Sequence, residues 1–227
     1  MTNFEPSENS LLPSVVSHCF ALRKNYSELT LQKTLSRGTL PALHSQDLAN
    51  ALPFLACGEE SAIHAFSGSL LKHLDANQCA AMAQIANDEL RHAQWLEQLR
   101  LALPNPNQIL ANDELSRFFK RMLTRNSALH FARVAALDSA VCKLLTPLLH
   151  VKSALFVHAP EIHAGLIAIV RDEARHVKAA RAMAKQFGIN QATRLEVNAS
   201  IQSELWQLLS PVLPGLARLA SHETISA

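Results

Sequence analysis

Glycine is scarce in this chain, with 6 in 227 residues, and tyrosine occurs once. Against them stand 34 alanines and 37 leucines. Good helix formers dominate and chain breakers are few, so the expected fold class is all-α. A charge excess is also lacking. Lys and Arg number 21 against 19 Asp and Glu, a net charge of +2, which argues against a dedicated nucleic-acid binder. The four cysteines, Cys19, Cys57, Cys79 and Cys142, form no CxxC pair and lie far apart, so neither a zinc knuckle nor a disulfide scaffold is suggested. The opening MTNFEPSENSLLPS has no basic stretch leading into an apolar one, so no secretory signal is expected. No apolar run reaches the roughly 18 residues of a membrane span. With 48% hydrophobic and 18% charged residues, most of the chain is expected to fold. A cytoplasmic protein with reduced thiols, binding neither membrane nor nucleic acid, is the starting expectation.

Pro, Asn and Gly punctuate the rest. The pattern predicts a helix over Ser14–Leu35, stopped at Gly38. A long helix follows over about Asp47–Leu74, with its main part starting near Pro53 because proline suits a first turn and disrupts an interior. The next covers Asp75–Leu103, with Asp75 or Asn77 as cap. A short helix is expected over Asn112–Leu123, then long ones over Asn126–Leu149, bent or ended at Pro147, and Pro160–Phe187, closed by Gly188. A last one spans Asn190–Leu209, before Pro211. The centre thus reads as four long helices with one extra helix at each end.

One internal repeat stands out. Asp88–His92 reads DELRH and Asp172–His176 reads DEARH, 84 positions apart. On a helical wheel Glu89 points with Met82, Ile85, Ala93 and Leu96, and Glu173 with Leu166, Ile169, Val177, Ala180 and Ala184, within about 40° in each case. His92 and His176 fall about 60° to one side. Two helices therefore each carry a Glu and a His into an apolar seam, where a bare carboxylate is costly unless it is paired or binds metal. This is the Glu-x-x-His arrangement of four-helix bundles that hold two iron or manganese ions.

Such a site needs a further carboxylate from each of the other two long helices. The first offers Glu59, flanked by Leu52, Leu55, Ile63, Phe66 and Leu70. Glu60, turned about 100° away, is the substitute if Pro53 shifts the local phase. The third offers only Asp138, among Phe131, Val134, Cys142, Leu145 and Leu149. The candidate ligand set is Glu59, Glu89, His92, Asp138, Glu173 and His176. Asp88 and Asp172 are placed to accept the second ring N–H of the histidine on the opposite helix. Arg91 and Arg175 point away from the seam by about 160–200°. The six histidines His64, His73, His130, His150, His158 and His163 read as surface or capping residues, and Trp95 and Trp206 as packing. Arg171, Arg175, Lys178, Arg181 and Lys185 read as a solvated helix face.

Over about Pro53–Phe187 the sequence resembles the ferritin-like di-iron carboxylate superfamily. The most specific matches are DELRH and DEARH, which are closer to the oxygen-activating members than to storage ferritins. Gly58-Glu59, with Phe66 seven residues on, is similar to the first ligand helix of rubrerythrins and bacterioferritins. The sequence departs from the pattern at Asp138, where the family usually has Glu, and in being shorter than hydroxylase or desaturase subunits. The hydroxylases often have a Thr lining the oxygen pocket where Cys142 stands, so Cys142 is a candidate pocket residue beside its reading as a core cysteine.

The resemblance implies a ferritin-like four-helix bundle over 46–189, with a helical extension over 1–45 and a helix and tail over 190–227, all in one domain. It implies two iron ions, or a mixed Mn/Fe pair. The activity it implies is that of an O2-dependent di-iron oxidase or oxygenase acting on a small-molecule or acyl substrate, with a ferredoxin or reductase as electron donor. The terminal segments offer places for lids, substrate contacts or a homodimer surface. Ferroxidase or iron-handling activity, and a non-catalytic helical module with a vestigial site, are the competing readings.

Overall fold

The computed structural model describes residues 40–66, 74–108 and 112–221. Every regular element among them is helical: α1 (Ala42–Ala65), α2 (Ala76–Ala102), α3 (Asn112–Met122), α4 (Ser127–Leu145), a 3-10 turn (Thr146–Leu149), α5 (Ala154–His158), α6 (Pro160–Gln186), α7 (Gln191–Leu209) and α8 (Leu213–Ala220). The fold class is all-α. The expected helix over Ser14–Leu35 lies outside the described residues. No helix among those described is long and apolar enough to cross a membrane.

Local chemistry sets the boundaries. Asp75 accepts the Gln78 N–H at 2.9 Å while the Gln78 side chain accepts the Asp75 N–H at 3.0 Å, a reciprocal cap that starts α2. Asn126 and Asn190 cap α4 and α7 one-sidedly, each accepting the N–H three residues on. Gly188, at φ 90°, turns the chain out of α6, a conformation that costs any other residue. Pro147 ends the α-helical part of α4, and the chain runs on as a 3-10 turn.

Three features differ from the sequence reading. First, α1 starts at Ala42 and carries Pro53 in its interior. A mid-helix proline costs about 3 kcal/mol. Burial of Leu48, Leu52, Phe54 and Leu55 around it offsets this, at roughly 1.5–3 kcal/mol for each large side chain. Second, α8 follows Pro211. Its own Pro214 lies in the first turn, where the missing N–H costs nothing. Third, Cys57 is disulfide-bonded, so reduced thiols do not hold throughout, while neither Cys79 nor Cys142 is in a disulfide.

The apolar interior divides into two clusters. The larger holds Leu48–Leu55 side chains of α1, Leu96 and Leu99 of α2, Leu144 and Leu145 of α4, and Ile162, Leu166 and Ile169 of α6, together with residues of α3, α7 and α8. The smaller holds Ala65 and Phe66, Met82 and Ile85, Phe131–Ala135 side chains, and Ala180, Met183 and Ala184. Along α1 and α6 the chain passes from the larger cluster to the smaller. Along α2 and α4 it passes from the smaller to the larger. Hence α1 and α6 run one way and α2 and α4 the other, and the α2-to-α4 connection through α3 returns the chain to the end it left. Between the clusters, on each of the four helices, stands an acidic residue: Glu59, Glu89, Asp138 and Glu173. On α4 the switch falls at Ala135–Ala136, just before Asp138.

Two glycines permit close approach. A Cβ on Gly165 of α6 would overlap the Trp95 ring, so α2 and α6 meet through a ring laid on bare backbone. Gly165→Ala is expected to destabilise the fold by about 1–3 kcal/mol through overpacking. A denaturant midpoint equal to that of the unmodified chain would refute this. A Cβ on Gly215 of α8 would lie 2.7 Å from Asp47 Oδ1. There the buried Asp47 carboxylate receives two bonds from Arg218, at 2.9 and 2.6 Å, which fasten α8 to the start of α1.

Candidate metal centre

The six donors proposed from sequence come together between the two apolar clusters. Ligand atoms of Glu59, Glu89, His92 and Glu173 lie within 4.8 Å of one another, as do those of Asp138, Glu173 and His176. Glu173 belongs to both groups. All six residues are buried, none more than 5% exposed. One carboxylate comes from each of α1, α2, α4 and α6, and one imidazole from each of α2 and α6.

The two histidines are arranged alike. His92 Nδ1 faces the acids, 3.2 Å from Glu59 Oε2, 3.5 Å from Glu173 Oε1 and 3.7 Å from Glu89 Oε2. Its Nε2 lies 3.4 Å from Asp172 Oδ2 on the other helix. His176 Nδ1 lies 2.9 Å from Glu89 Oε1 and 3.7 Å from Glu173 Oε2, and its Nε2 is 3.4 Å from Asp88 Oδ2. Each repeat thus supplies a Glu and a His to the centre and an Asp to the histidine of the other repeat. An acceptor on one ring nitrogen fixes which nitrogen faces the centre.

Charge crowding shows in the protonation of these groups. Burial raises Glu59, and the nearby Glu89 raises it further. Burial likewise raises Asp138, reinforced by Glu173 and Glu89. Burial alone would lower both histidines. The acids outweigh it, with Glu173 and Glu59 bringing His92 to about 12 and Glu173 and Glu89 bringing His176 to about 10. Burial opposes ionisation of Glu89 too, but His176 and His92 hold it down at about 2.

Three donor atoms in this layer have no hydrogen-bond partner: Glu89 Oε1, Asp138 Oδ2 and His176 Nδ1. The 2.9 Å approach of His176 to Glu89 lacks the alignment of a hydrogen bond. Buried orphans cost about 1–3 kcal/mol each, and a cation among them would satisfy all three. Carboxylate oxygens with imidazole nitrogens suit a divalent transition ion. The cluster therefore fits a metal ion.

The remaining candidates fall outside it. Glu60 joins neither donor group. Burial and the facing Glu97 push it up to about 7, and Glu97 is itself held by two 2.7 Å bonds from Arg100. Cys142 is half-buried, with Sγ 3.8 Å from the Val170 carbonyl. Burial, then Glu173 and Asp138, push its thiol up to about 11, so it stands near the centre without being one of the grouped donors. His130 is fully buried, not at the surface; its Nε2 lies 2.9 Å from the Ala65 carbonyl, which closes the end of α1. His163 Nε2 lies 3.0 Å from the Leu149 carbonyl. His73 lies outside the described residues.

The sequence reading missed the part played by the repeat arginines. They do not simply point into solvent. Arg91 pairs with Asp88 and lies 3.7 Å from Asp172; Arg175 lies 2.6 Å from Asp88 and 3.1 Å from Asp172. Both side chains stay about half or more exposed while the aspartates are buried. The two repeats are therefore cross-linked by four charges on the outer side of the histidines. The i,i+3 spacing of Asp and Arg in DELRH and DEARH was the available signal.

No protein-family model matches this chain, and no curated protein or solved structure shows a significant match to it.

Proposed function

We propose that the chain is a ferritin-like four-helix bundle that holds two iron ions, or a mixed Mn/Fe pair, and works as an O2-dependent oxidase or oxygenase on a small-molecule or acyl substrate. The observation that carries this reading is the sharing of Glu173 by two buried donor groups, because a shared carboxylate is the means by which two ions are held close together. The helix directions add support. Four helices with one long crossover between the second and third long members are the ferritin-like connectivity.

The roles of the residues follow from their contacts. Glu59 and Asp138 would each serve one ion, Glu173 both, and Glu89 stands against His92 and His176 alike. Asp172 and Asp88 hold the ring nitrogens of His92 and His176 that face away from the centre. Arg91 and Arg175 pair with those aspartates from the outer side. Met82, Ile85, Phe131, Leu166 and Ile169, all buried, exclude water from both sides. Iron bound there supplies the redox chemistry with O2, which no side chain can. A ferredoxin or reductase supplies electrons from outside, and the reactions open to such a site are hydroxylation, N-oxygenation, desaturation and oxidative cleavage.

The test is anaerobic Fe(II) titration of the metal-free protein, then mixing with O2 while the absorption spectrum is recorded. About two irons per chain and a transient oxygen-dependent chromophore are expected. Consumption of iron and O2 with no organic co-substrate in a broad screen would favour iron handling. A folded protein without stoichiometric binding would leave only a helical module with a vestigial site.

A further inference from the structure

We infer that the outer stripe of α6 docks an acidic surface of another protein. Arg171, Arg175, Lys178, Arg181 and Lys185 are all exposed and fall within about 120° of one another on the helical wheel. Each lies three or four residues from the next, the spacing at which helical side chains are neighbours. Ile167, 44% exposed, heads the same stripe. From Ile167 to Lys185 the other exposed side chains of α6 are only Ala174 and Ala182, so nothing bulky screens the cations over a rise of about 27 Å.

A merely solvated helix face mixes charges of both signs. Here the acids are turned inward. Asp172 and Glu173 of α6 are buried, as are Asp88 and Glu89 of the adjoining α2. Among the described residues α2 exposes no acid between Asp75 and Glu97, and it adds Arg91, whose side chain is 64% exposed. Arg91 and Arg175 are engaged from below by Asp88 and Asp172, and Arg171 lies 3.6 Å from Asp172. Lys178, Arg181 and Lys185 take part in no ion pair among the described residues. Like charges at this spacing repel along the helix. The whole chain carries only +2, so the cations are gathered on this face rather than spread evenly.

The charge selects the partner. A second copy would set the same row against itself. A nucleic-acid strand stacks its bases on aromatic side chains set among the cations, and this stripe has none. An aliphatic side chain beside a charged row instead matches a protein interface, where an apolar anchor is rimmed by polar contacts. The partner is a helix or edge that bears a row of carboxylates and ends in an aliphatic side chain. This surface stands apart from the donor layer, and the inference is independent of whether that layer takes iron.

Fluorescence anisotropy of the full chain tests it with three labelled probes: a helical peptide with glutamates along one face and two leucines at one end, the same peptide with serines for the leucines, and duplex DNA of equal length. The leucine peptide should bind, and more weakly as salt rises. The combined change Lys178→Glu, Arg181→Glu and Lys185→Glu should weaken it at least about tenfold. Arg117→Glu with Lys120→Glu, on the exposed side of α3, should leave it unchanged. The serine peptide should bind at least about threefold more weakly than the leucine one, a difference that Ile167→Ser abolishes. Circular dichroism establishes folding, and Lys178→Gln with Lys185→Gln serves if the charge reversal does not fold. Binding indifferent to the α6 changes, or weakened as much by those on α3, would overturn the docking stripe. Equal binding of the two peptides would overturn the apolar anchor and with it the described partner. DNA bound more tightly than the leucine peptide would overturn the protein partner in favour of nucleic acid.

Discussion

Glu173→Ala is expected to empty the centre, taking iron from about two per chain to near none, while helix content is retained. Loss of a residue that merely orients a ligand costs about 10–100-fold in metal affinity. Glu173 is a donor in both groups, so its removal strikes both ions and should cost more than that for each. The fold survives because Glu173 lies between the two apolar clusters and supports neither. Asp172→Asn provides the contrast. It touches His92 from behind, and its effect should stay within about 10–100-fold. Iron content and circular dichroism on the same samples decide the matter. Equal iron in Glu173→Ala and the unmodified protein would remove Glu173 from the ligand set, and with it the case for two ions.

The second large effect is on pH. His92 and His176, held up at about 12 and about 10 by the surrounding acids against the opposing effect of burial, are both protonated at neutral pH in the metal-free protein. A metal ion can take a histidine nitrogen only after that proton leaves. Protons are therefore bound in the free state and released in the loaded one, so binding strengthens as pH rises and weakens as it falls. With both values above the range from about pH 6 to 8, two protons are displaced throughout it, and overall affinity should change about 100-fold per pH unit. Glu59 and Asp138, both raised by burial and neighbouring acids, steepen the slope. Calorimetry in two buffers of different ionisation enthalpy counts the released protons directly. Affinity independent of pH over this interval would show that the imidazoles are already neutral, and that they do not pair with the acids as described.

That these six side chains meet in one buried layer was readable from the sequence because helical periodicity carries it. A carboxylate or imidazole at the same angle as Leu96 or Leu166 must be buried if they are, and burial without a partner is costly enough to demand an explanation. The same periodicity separated Glu59 from Glu60, one turned into the seam and the other toward Glu97. The wheel failed where reach matters more than angle. It directs Arg91 and Arg175 away from the seam, yet a long flexible stem lets each guanidinium fold back to an aspartate one turn earlier and across to the next helix. Long-range fits were equally out of sight. Nothing local in the sequence says that Gly165 faces Trp95, or that Asp47 waits for Arg218. Pro53 misled for a third reason. A breaker acts only where its missing N–H is needed and where burial does not outweigh it.

The division of the interior into two apolar clusters bears on cooperativity. Ordinarily a continuous core makes a small domain melt as one unit. Here a stratum of four acids and two imidazoles separates the clusters, and in the metal-free protein the ion pairs of the imidazoles are set against repulsion among the acids and three orphaned atoms. The four long helices, with Val197 of α7 packed against both clusters, then connect the halves, and each half can open on its own terms. A cation among the acids turns the separating stratum into a fastener. Loading the centre and welding two half-cores into a single melting unit become the same event.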